Sequence, residues 1–370
     1  MVTLADSLAL LLRPAGGGVH LVSSGLLAQR ALQRRIYGVA RDEEVEERWR
    51  LDLEAAARAP LVLLGIPSDV GGGLQRGANL GPAALRARLL DDHAGRMARL
   101  REAGLLDLGD VRVVPQLLED AMLAPAQLEA VRHALHPGLD EAVRRTLPVS
   151  PLDVAERALS LVLAENPRAR VVALGGDHST ALPVVRALAR VRPGLAVVQV
   201  DAHTDLLPER LGIRHCFGTW AFHANELLGR GGRLVQIGIR ASARDQRHWE
   251  STLGVRQIWA EEVRRDPAAA VEKVVTALRA ANASSVYLSN DIDGTDAAFA
   301  EATGTPEPGG LAPETVSLLL RRLGEEVGLA GGDLMEVAPG VARSPGGGAR
   351  TLEVAARYLV ETLEVALHGR

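Results

Sequence analysis

Apolar residues in this 370-residue chain form short runs that alternate with longer segments of helical periodicity. Short apolar runs rich in Val, Leu and Ile are typical of strands buried on both faces. Strands that alternate with helices indicate a parallel sheet covered by helices, so we predict an α/β fold. Strands are predicted at residues 61–66, 171–174, 195–200, 234–239, 256–259, 286–289 and 334–337. Helices are predicted at residues 82–90, 152–164, 181–191, 267–281, 313–327 and 349–367.

Two regions do not follow this alternation. The first sixty residues contain a Gly16–Gly18 break and a charged, helical segment at residues 41–50, and residues 110–150 show no clear strand. We therefore predict one domain at residues 60–370, preceded by an N-terminal extension at residues 1–59. Either irregular region could be a lid, an oligomer contact or a packed extension, and a surface extension without catalytic residues is the simplest interpretation.

Polar clusters follow three of the predicted strands. They are Gly175-Gly176-Asp177-His178-Ser179, Asp201-Ala202-His203-Thr204-Asp205 and Asp291-Ile292-Asp293. Ligands bind beyond the carboxyl ends of the strands in open parallel sheets, so the three clusters are expected at one site. If the chain stays extended past each strand, alternate residues such as Asp201, His203 and Asp205 point the same way.

The charge of these clusters favours a metal site. Four aspartates together in a low-dielectric cleft would repel one another, and some would take up protons unless cations were present. Mixed carboxylate and imidazole donors suit manganese, iron, cobalt, nickel or zinc better than calcium. Two such ions about 3.5–4 Å apart can lower the pKa of a shared water toward neutrality. A lone Asp-x-Asp is more often a cap or turn, but three clusters at strand ends predict a two-metal hydrolytic site.

The clusters resemble those of the ureohydrolases, the family of arginase and agmatinase. Four further segments agree with the family pattern, and the resemblance covers roughly residues 60–368. They are residues 65–69, residues 76–82, residues 303–311 and the sequence Glu336-Val337-Ala338-Pro339. The resemblance implies a three-layer α/β/α, arginase-like fold with a mainly parallel sheet.

The resemblance also implies the site. One manganese would be held by His178, Asp201, Asp205 and Asp291, and the other by Asp201, His203, Asp291 and Asp293. A metal-bridging hydroxide would attack a guanidinium carbon, Glu336 would pair with the guanidinium, and Asp205 would handle the proton as the intermediate collapses. The products would be urea and an amine.

The chain departs from the family pattern after the middle cluster. Relatives carry a His-Gly pair there, whose histidine is thought to move protons, whereas this chain has His215-Cys216-Phe217-Gly218. Alignment on Gly218 places Phe217 at the histidine position, and an insertion of two residues places His215 there. We favour His215 as the shuttle, because an imidazole titrates near pH 7. His223, or no residue, remains the alternative. Asp296-Ala297 and Glu301 also depart from the pattern, where substrate contacts are expected.

These observations predict a manganese-dependent amidinohydrolase acting on agmatine, arginine or an ω-guanidino acid. Arg240, near the expected mouth of the site, could bind a substrate carboxylate or form a subunit salt bridge. A formiminoglutamate-type amidine hydrolase and a metal-binding homologue without turnover are the alternatives. A one-zinc deacetylase is disfavoured because His178 and Asp205 complete a second metal site.

Composition limits the partners. The net charge of −4 offers no electrostatic footprint for nucleic acid, so a small-molecule substrate is expected. The single cysteine, Cys216, excludes an intrachain disulfide and is expected to be a packed residue. No stretch is long and apolar enough to span a membrane, and a cytoplasmic location is expected. By analogy with the family, we expect a homo-oligomer, either a trimer or a hexamer.

Overall fold

A single mixed sheet organises the protein. The computed structural model describes residues 3–19, 21 and 23–369, and this part of the chain contains nine strands in the order β1-β3-β2-β4-β9-β8-β5-β6-β7. The β1 strand pairs antiparallel with β3, and the other pairs are parallel. The strands are β1 Leu12–Arg13, β2 Leu61–Ile66, β3 Leu105–Val111, β4 Arg170–Gly175, β5 Leu195–Val200, β6 Leu234–Ile239, β7 Arg256–Trp259, β8 Ser285–Asn290 and β9 Leu329–Leu334.

Fifteen α-helices occur in the described part of the chain. They are α1 Leu4–Leu11, α2 Leu26–Tyr37, α3 Glu43–Leu53, α4 Gly81–Asp92, α5 Ala94–Glu102, α6 Pro125–Leu135, α7 Glu141–Arg145, α8 Pro151–Glu165, α9 Ala181–Ala189, α10 Trp220–Leu227, α11 Gln246–Leu253, α12 Ala260–Arg265, α13 Pro267–Ala280, α14 Pro313–Glu326 and α15 Gly347–His368.

The sheet is buried on both faces. Along β4, Val171 and Ala173 join the core that includes α1, α3, α8, α9 and α10, whereas Val172 and Leu174 join the core of α4, α5 and α12 to α15. Successive strand residues point to opposite faces, so the uninterrupted apolar strands supply both cores. The result is the predicted three-layer α/β/α arrangement.

The N-terminal segment packs on the same core. Trp49 on α3 is fully buried, and its indole N–H donates a hydrogen bond to the Leu108 carbonyl of β3 at 2.9 Å. The β1 strand extends the sheet beside β3. Residues 3–19 and 26–53 thus contribute to the core on one face of the sheet, although the boundary after residue 59 stays a prediction.

Most predicted elements are confirmed. Four strands match in both bounds, two gain one residue at each end, and the six predicted helices agree within two residues at each end. The strand predicted at residues 334–337 is wrong, because the chain pairs as β9 at Leu329–Leu334. The β1 and β3 strands were not predicted.

The topology brings the polar clusters together. The order β4-β9-β8-β5 places the three predicted cluster strands side by side with β9, and their parallel direction puts their carboxyl ends at one edge. Within the described residues, no helix combines the length and apolar character needed to cross a membrane.

Candidate metal centre

His178 lies at the centre of the carboxylate cluster. Its Nδ1 is 3.2 Å from Oδ2 of Asp201, 3.4 Å from Oδ2 of Asp205 and 3.0 Å from Oδ2 of Asp291. The chain reaches this position through Gly176, where a Cβ atom would lie 1.8 Å from the Ser68 carbonyl oxygen. Glycine is therefore needed for β4 to turn into the site.

The second nitrogen of His178 is held by a hydrogen bond outside the carboxylate cluster. Its Nε2 lies 2.9 Å from Oγ of Ser289, and that hydroxyl donates to the Asp333 carboxylate at 2.9 Å. Since the hydroxyl has one proton, it must accept from Nε2–H. Nδ1 faces the carboxylates of Asp201, Asp205 and Asp291. Burial lowers the pKa of His178, but Asp201 and Asp291 raise it well above its ordinary value, so Nδ1 keeps a proton until a cation takes its place. Such support from a carboxylate through the outer nitrogen is typical of metal-binding histidines.

A second group shares Asp201 with the first. Nδ1 of His203 lies 3.1 Å from Oδ2 of Asp293 and 3.5 Å from Oδ1 of Asp201. The ligand atoms of Asp201, His203 and Asp293 lie within 4.8 Å of one another, as do those of His178, Asp201 and Asp205. Asp201 thus connects two adjacent candidate metal positions.

The backbone of the clusters is not extended, contrary to the sequence argument. Asp205 has a φ of 51°, in the left-handed region, and residues Ile292–Gly294 form a 3-10 turn capped by the Asp291 side chain. The direction of these carboxylates is therefore set by turns and not by the alternation of side chains along an extended strand. Trp220 holds Asp205 in place through an indole N–H bond of 3.0 Å to Oδ2 and stacks on His178 at 4.5 Å.

The donors fit metal ions. Asp201, Asp205, Asp291 and Asp293 are 1–8% exposed, and burial with neighbouring carboxylates raises the pKa of Asp205 and of Asp291 well above the ordinary value. Burial alone would lower the pKa of His203, but Asp201 and Asp293 raise it to about 12. Four buried carboxylates around the Nδ1 atoms of His178 and His203 therefore form a site that two divalent cations would stabilise.

Glu336 lies beside this cluster. Its Oε1 accepts a hydrogen bond from the His178 backbone N–H at 3.0 Å, and a Cβ at Gly304 would lie 3.7 Å from its Oε2. Glu336 has a φ of 60°, which is unusual for a residue with a side chain. Burial and the charges of Asp291 and Asp177 raise the pKa of Glu336 well above its usual range, so a cation at Oε2 would favour ionisation.

The guanidinium of Arg240 is hydrogen-bonded to backbone carbonyl oxygens. Its guanidinium donates to the carbonyl oxygens of Asp293 at 2.6 Å and Glu307 at 2.8 Å, and Nε donates to that of Pro308 at 3.1 Å. These contacts join the third cluster to the loop at residues 303–311. A substrate carboxylate would have to displace them. The substrate role of Arg240 stays a prediction, and the contacts favour a structural one.

His215 is bound at both ring nitrogens outside the cluster. Nδ1 lies 2.7 Å from Oε1 of Glu119, and Nε2 lies 3.1 Å from a terminal nitrogen of Arg186. A guanidinium can only donate, so Nε2 accepts and Nδ1 donates to Glu119. The shuttle role stays a prediction, and this arrangement leaves no ring nitrogen free to exchange a proton with the cluster.

The alternatives to His215 lie in the same loop region. Nε2 of His223 is 3.0 Å from the carbonyl oxygens of Pro208 and Arg214. Phe217 lies against Gly73 and lines a cavity of about 610 Å³ together with Gly71, Gly72 and Glu119. Cys216 is buried, as expected.

Sequence reasoning missed several residues that shape the site. Ser289 and Gln199 form hydrogen bonds with the candidate ligands His178 and Asp201, and Ser289 donates in turn to Asp333. Thr305 donates to Oδ2 of Asp293 at 3.1 Å. The available signal was the presence of polar residues inside apolar strands. Buried polar groups need partners, and here most of the partners are candidate ligands.

This fold and this pair of overlapping ligand groups define an arginase-type metallohydrolase scaffold. The chain belongs to the arginase family, whose family model matches residues 59–364. It is 32% identical over 286 residues to proclavaminate amidinohydrolase of Streptomyces clavuligerus, covering 75% of this chain and 80% of the relative. It is 31% identical over 284 residues to guanidinobutyrase of Pseudomonas aeruginosa, covering 75% and 78%. The solved structure of proclavaminate amidino hydrolase from Streptomyces clavuligerus superposes with a TM-score of 0.64 at 29% identity, covering 84% of this chain and 97% of that one.

Proposed function

We propose that this protein is an amidinohydrolase that cleaves a guanidino C–N bond to release urea and an amine. The observation that carries the proposal is the sharing of Asp201 by two adjacent groups of buried ligand atoms. Membership of the arginase family supports the same chemistry.

The proposed cofactor is a pair of manganese ions. His178, Asp201, Asp205 and Asp291 would hold one, and Asp201, His203, Asp291 and Asp293 the other. When bound, the pair would supply a hydroxide nucleophile at neutral pH and stabilise negative charge as it develops.

Glu336 is proposed to orient the substrate. Its Oε1 already accepts from the His178 backbone, so Oε2 is the oxygen that can accept from a guanidinium N–H. A carboxylate beside a planar cation gives charge-assisted, directional hydrogen bonds. Since this oxygen lies next to the ligand cluster, the guanidinium carbon would be held close to the nucleophile.

Asp205 is proposed to carry the proton that the departing amine needs. As a carboxylate, it can take the proton that the added water gives up and pass it to the departing nitrogen. The Trp220 indole N–H fixes Oδ2, so Oδ1 is the oxygen free to take and release a proton. Water adds to the guanidinium carbon, the C–N bond breaks, and the nitrogen leaves with the transferred proton.

The substrate is proposed to be a guanidino acid. The relatives named proclavaminate amidinohydrolase and guanidinobutyrase motivate this choice, as does one named guanidinopropionase that is 33% identical over 285 residues. Agmatine, which has no carboxylate, is the informative comparison.

Urea release tests the proposal directly. Manganese-loaded protein would be assayed with guanidinobutyrate, guanidinopropionate, arginine and agmatine, and with formiminoglutamate followed by formamide release. We expect urea from a guanidino acid and none from protein carrying Asp291→Ala. Formamide release without urea would overturn the proposal in favour of amidine hydrolysis. Absence of both products from protein with two bound ions would favour a homologue without turnover.

A further inference from the structure

Three buried glutamines cross the sheet in register toward Asp201. Gln199 on β5, Gln236 on β6 and Gln257 on β7 are paired neighbours, and each is at most 3% exposed. Their amides are joined by hydrogen bonds of 2.6 Å and 2.7 Å, and Gln199 donates to Oδ2 of Asp201 at 2.7 Å. At the other end, the indole N–H of Trp259 donates to Oε1 of Gln257 at 3.0 Å. We call these four residues the amide chain.

The two ends of the amide chain fix its direction. An indole N–H can only donate, and an ionised carboxylate can only accept. Gln257 must therefore turn its oxygen to Trp259 and its NH₂ group to Gln236, and the same orientation continues to Asp201. The order of donors follows from the ends alone, whereas an isolated amide could be placed either way round.

The amide chain reaches the site at two points. Gln199 holds Oδ2 of Asp201, while the backbone N–H of His203 holds Oδ1 at 2.6 Å. Gln236 uses its second N–H to bind the Thr204 carbonyl oxygen at 2.6 Å, within the loop that carries His203 and Asp205. The carboxylate shared by both ligand groups and the adjoining loop are thus anchored to three neighbouring strands of the sheet.

We infer that the amide chain is a positioning device that orients the Asp201 carboxylate for two metal ions. Hydrogen bonds around metal-binding carboxylates set ligand orientation, and their loss typically weakens metal binding by about 10- to 100-fold. Aligned amides also polarise one another in a buried setting, so loss of the Trp259 donor should weaken the hydrogen bond from Gln199 to Asp201. The inference rests on the proposed function, because it assigns Asp201 to the metal ions.

The test measures manganese affinity of metal-free protein by isothermal titration calorimetry. Gln236→Met removes the middle of the amide chain, and we expect about tenfold weaker binding. Trp259→Phe removes only the first donor and touches no candidate ligand, and we expect a smaller weakening, below about tenfold. Trp249→Phe is the matched control, since its indole N–H donates at 2.9 Å to Ser242, outside the amide chain.

Each outcome decides between positioning and packing. Weaker binding in Trp259→Phe but not in Trp249→Phe, at similar thermal stability of the metal-free variants, supports the inference. Equal affinities in Trp259→Phe and wild type would overturn it, even if Gln236→Met fails to fold. A wild-type protein that binds no manganese would instead reject the proposed function, and the inference with it. A crystal structure of metal-free Trp259→Phe provides a second test. The Asp201 carboxylate should move if the amide chain positions it and should stay in place if the chain only packs.

Discussion

The backbone N–H of His178 donates a hydrogen bond to Oε1 of Glu336 at 3.0 Å. This bond fixes the position of the proposed guanidinium-binding carboxylate relative to a proposed metal ligand. The bond joins the turn after β4 to the residue that follows β9 by two positions. A mutation should therefore impair substrate binding without affecting metal binding only if it changes Oε2 of Glu336 and keeps the bond at Oε1.

Glu336→Gln keeps the size of the side chain and removes its charge. We expect kcat/KM for the guanidino substrate to fall by about 10- to 100-fold, because the glutamine oxygen stays with the His178 N–H and its NH₂ group, a donor, cannot accept from the guanidinium. Manganese content should not change. Steady-state kinetics with metal analysis of the same sample checks this, and unaltered kcat/KM would remove Glu336 from the substrate site.

Asp291→Ala removes the carboxylate whose Oδ2 lies 3.0 Å from Nδ1 of His178. We expect loss of bound manganese and a fall in turnover of about three orders of magnitude or more, since the ions supply several kcal/mol of transition-state stabilisation. Metal analysis after dialysis measures the first effect. Asp266→Ala, at the exposed start of α13, serves as the control. Normal metal content in Asp291→Ala would contradict the ligand assignment.

His215→Ala separates a proton shuttle from a structural residue. Both ring nitrogens are bound, so we expect the free energy of unfolding to fall by about 1–3 kcal/mol as Glu119 and Arg186 lose their partner. The pH profile of turnover should keep its shape. Disappearance of a titration near neutral pH from that profile, in folded protein, would instead assign the shuttle to His215.

The ionisation of Glu119 should make the free energy of unfolding depend on pH in the acid range. The His215 hydrogen bond holds the pKa of Glu119 below its ordinary value of 4.5, although burial opposes the shift. The unfolded chain then binds this proton more tightly, so the stabilisation is complete above about pH 4.5 and is lost as pH falls through the lower folded-state pKa. Denaturant unfolding of wild type and Glu119→Gln should therefore differ less below pH 4.5 than at pH 7. A difference that is constant with pH would contradict this linkage.

Arg240→Lys tests whether this residue binds substrate. A lysine ammonium cannot reproduce the planar fork that reaches several carbonyl oxygens at once. We expect a loss of about 1–3 kcal/mol in the free energy of unfolding and equal proportional changes in kcat/KM for guanidinobutyrate and agmatine. A selective loss for guanidinobutyrate would show that Arg240 recognises the carboxylate.

The sequence was most informative where the strands were almost entirely apolar. The strands at residues 61–66, 195–200 and 234–239 were predicted in both bounds. The β9 strand, Leu-Ala-Gly-Gly-Asp-Leu, has two glycines and a buried aspartate, so neither its composition nor its pattern indicates a strand. The β3 strand carries Asp107 and Asp110, and only the structure reveals that buried Arg86 pairs with both.

The site was predictable in composition and less so in geometry. The spacing of the clusters indicated which carboxylates would meet, but the left-handed conformations of Asp205 and Glu336 have no sequence signal. The partners of Arg240 and His215 lie 53–68 and 29–96 residues away, respectively, apart from the Gly238 carbonyl near Arg240. Contacts at such separations are set by the fold and cannot be read from a local pattern.

The short β1 strand has a consequence for self-association. By pairing Leu12 and Arg13 with β3, it occupies hydrogen-bonding groups that would otherwise lie at the open edge of the sheet. Unpaired edges recruit strands from other molecules and promote aggregation. The N-terminal segment therefore protects the β3 edge: a protein shortened to residues 60–370 would keep the proposed metal ligands but would expose an unpaired strand that other molecules could pair with.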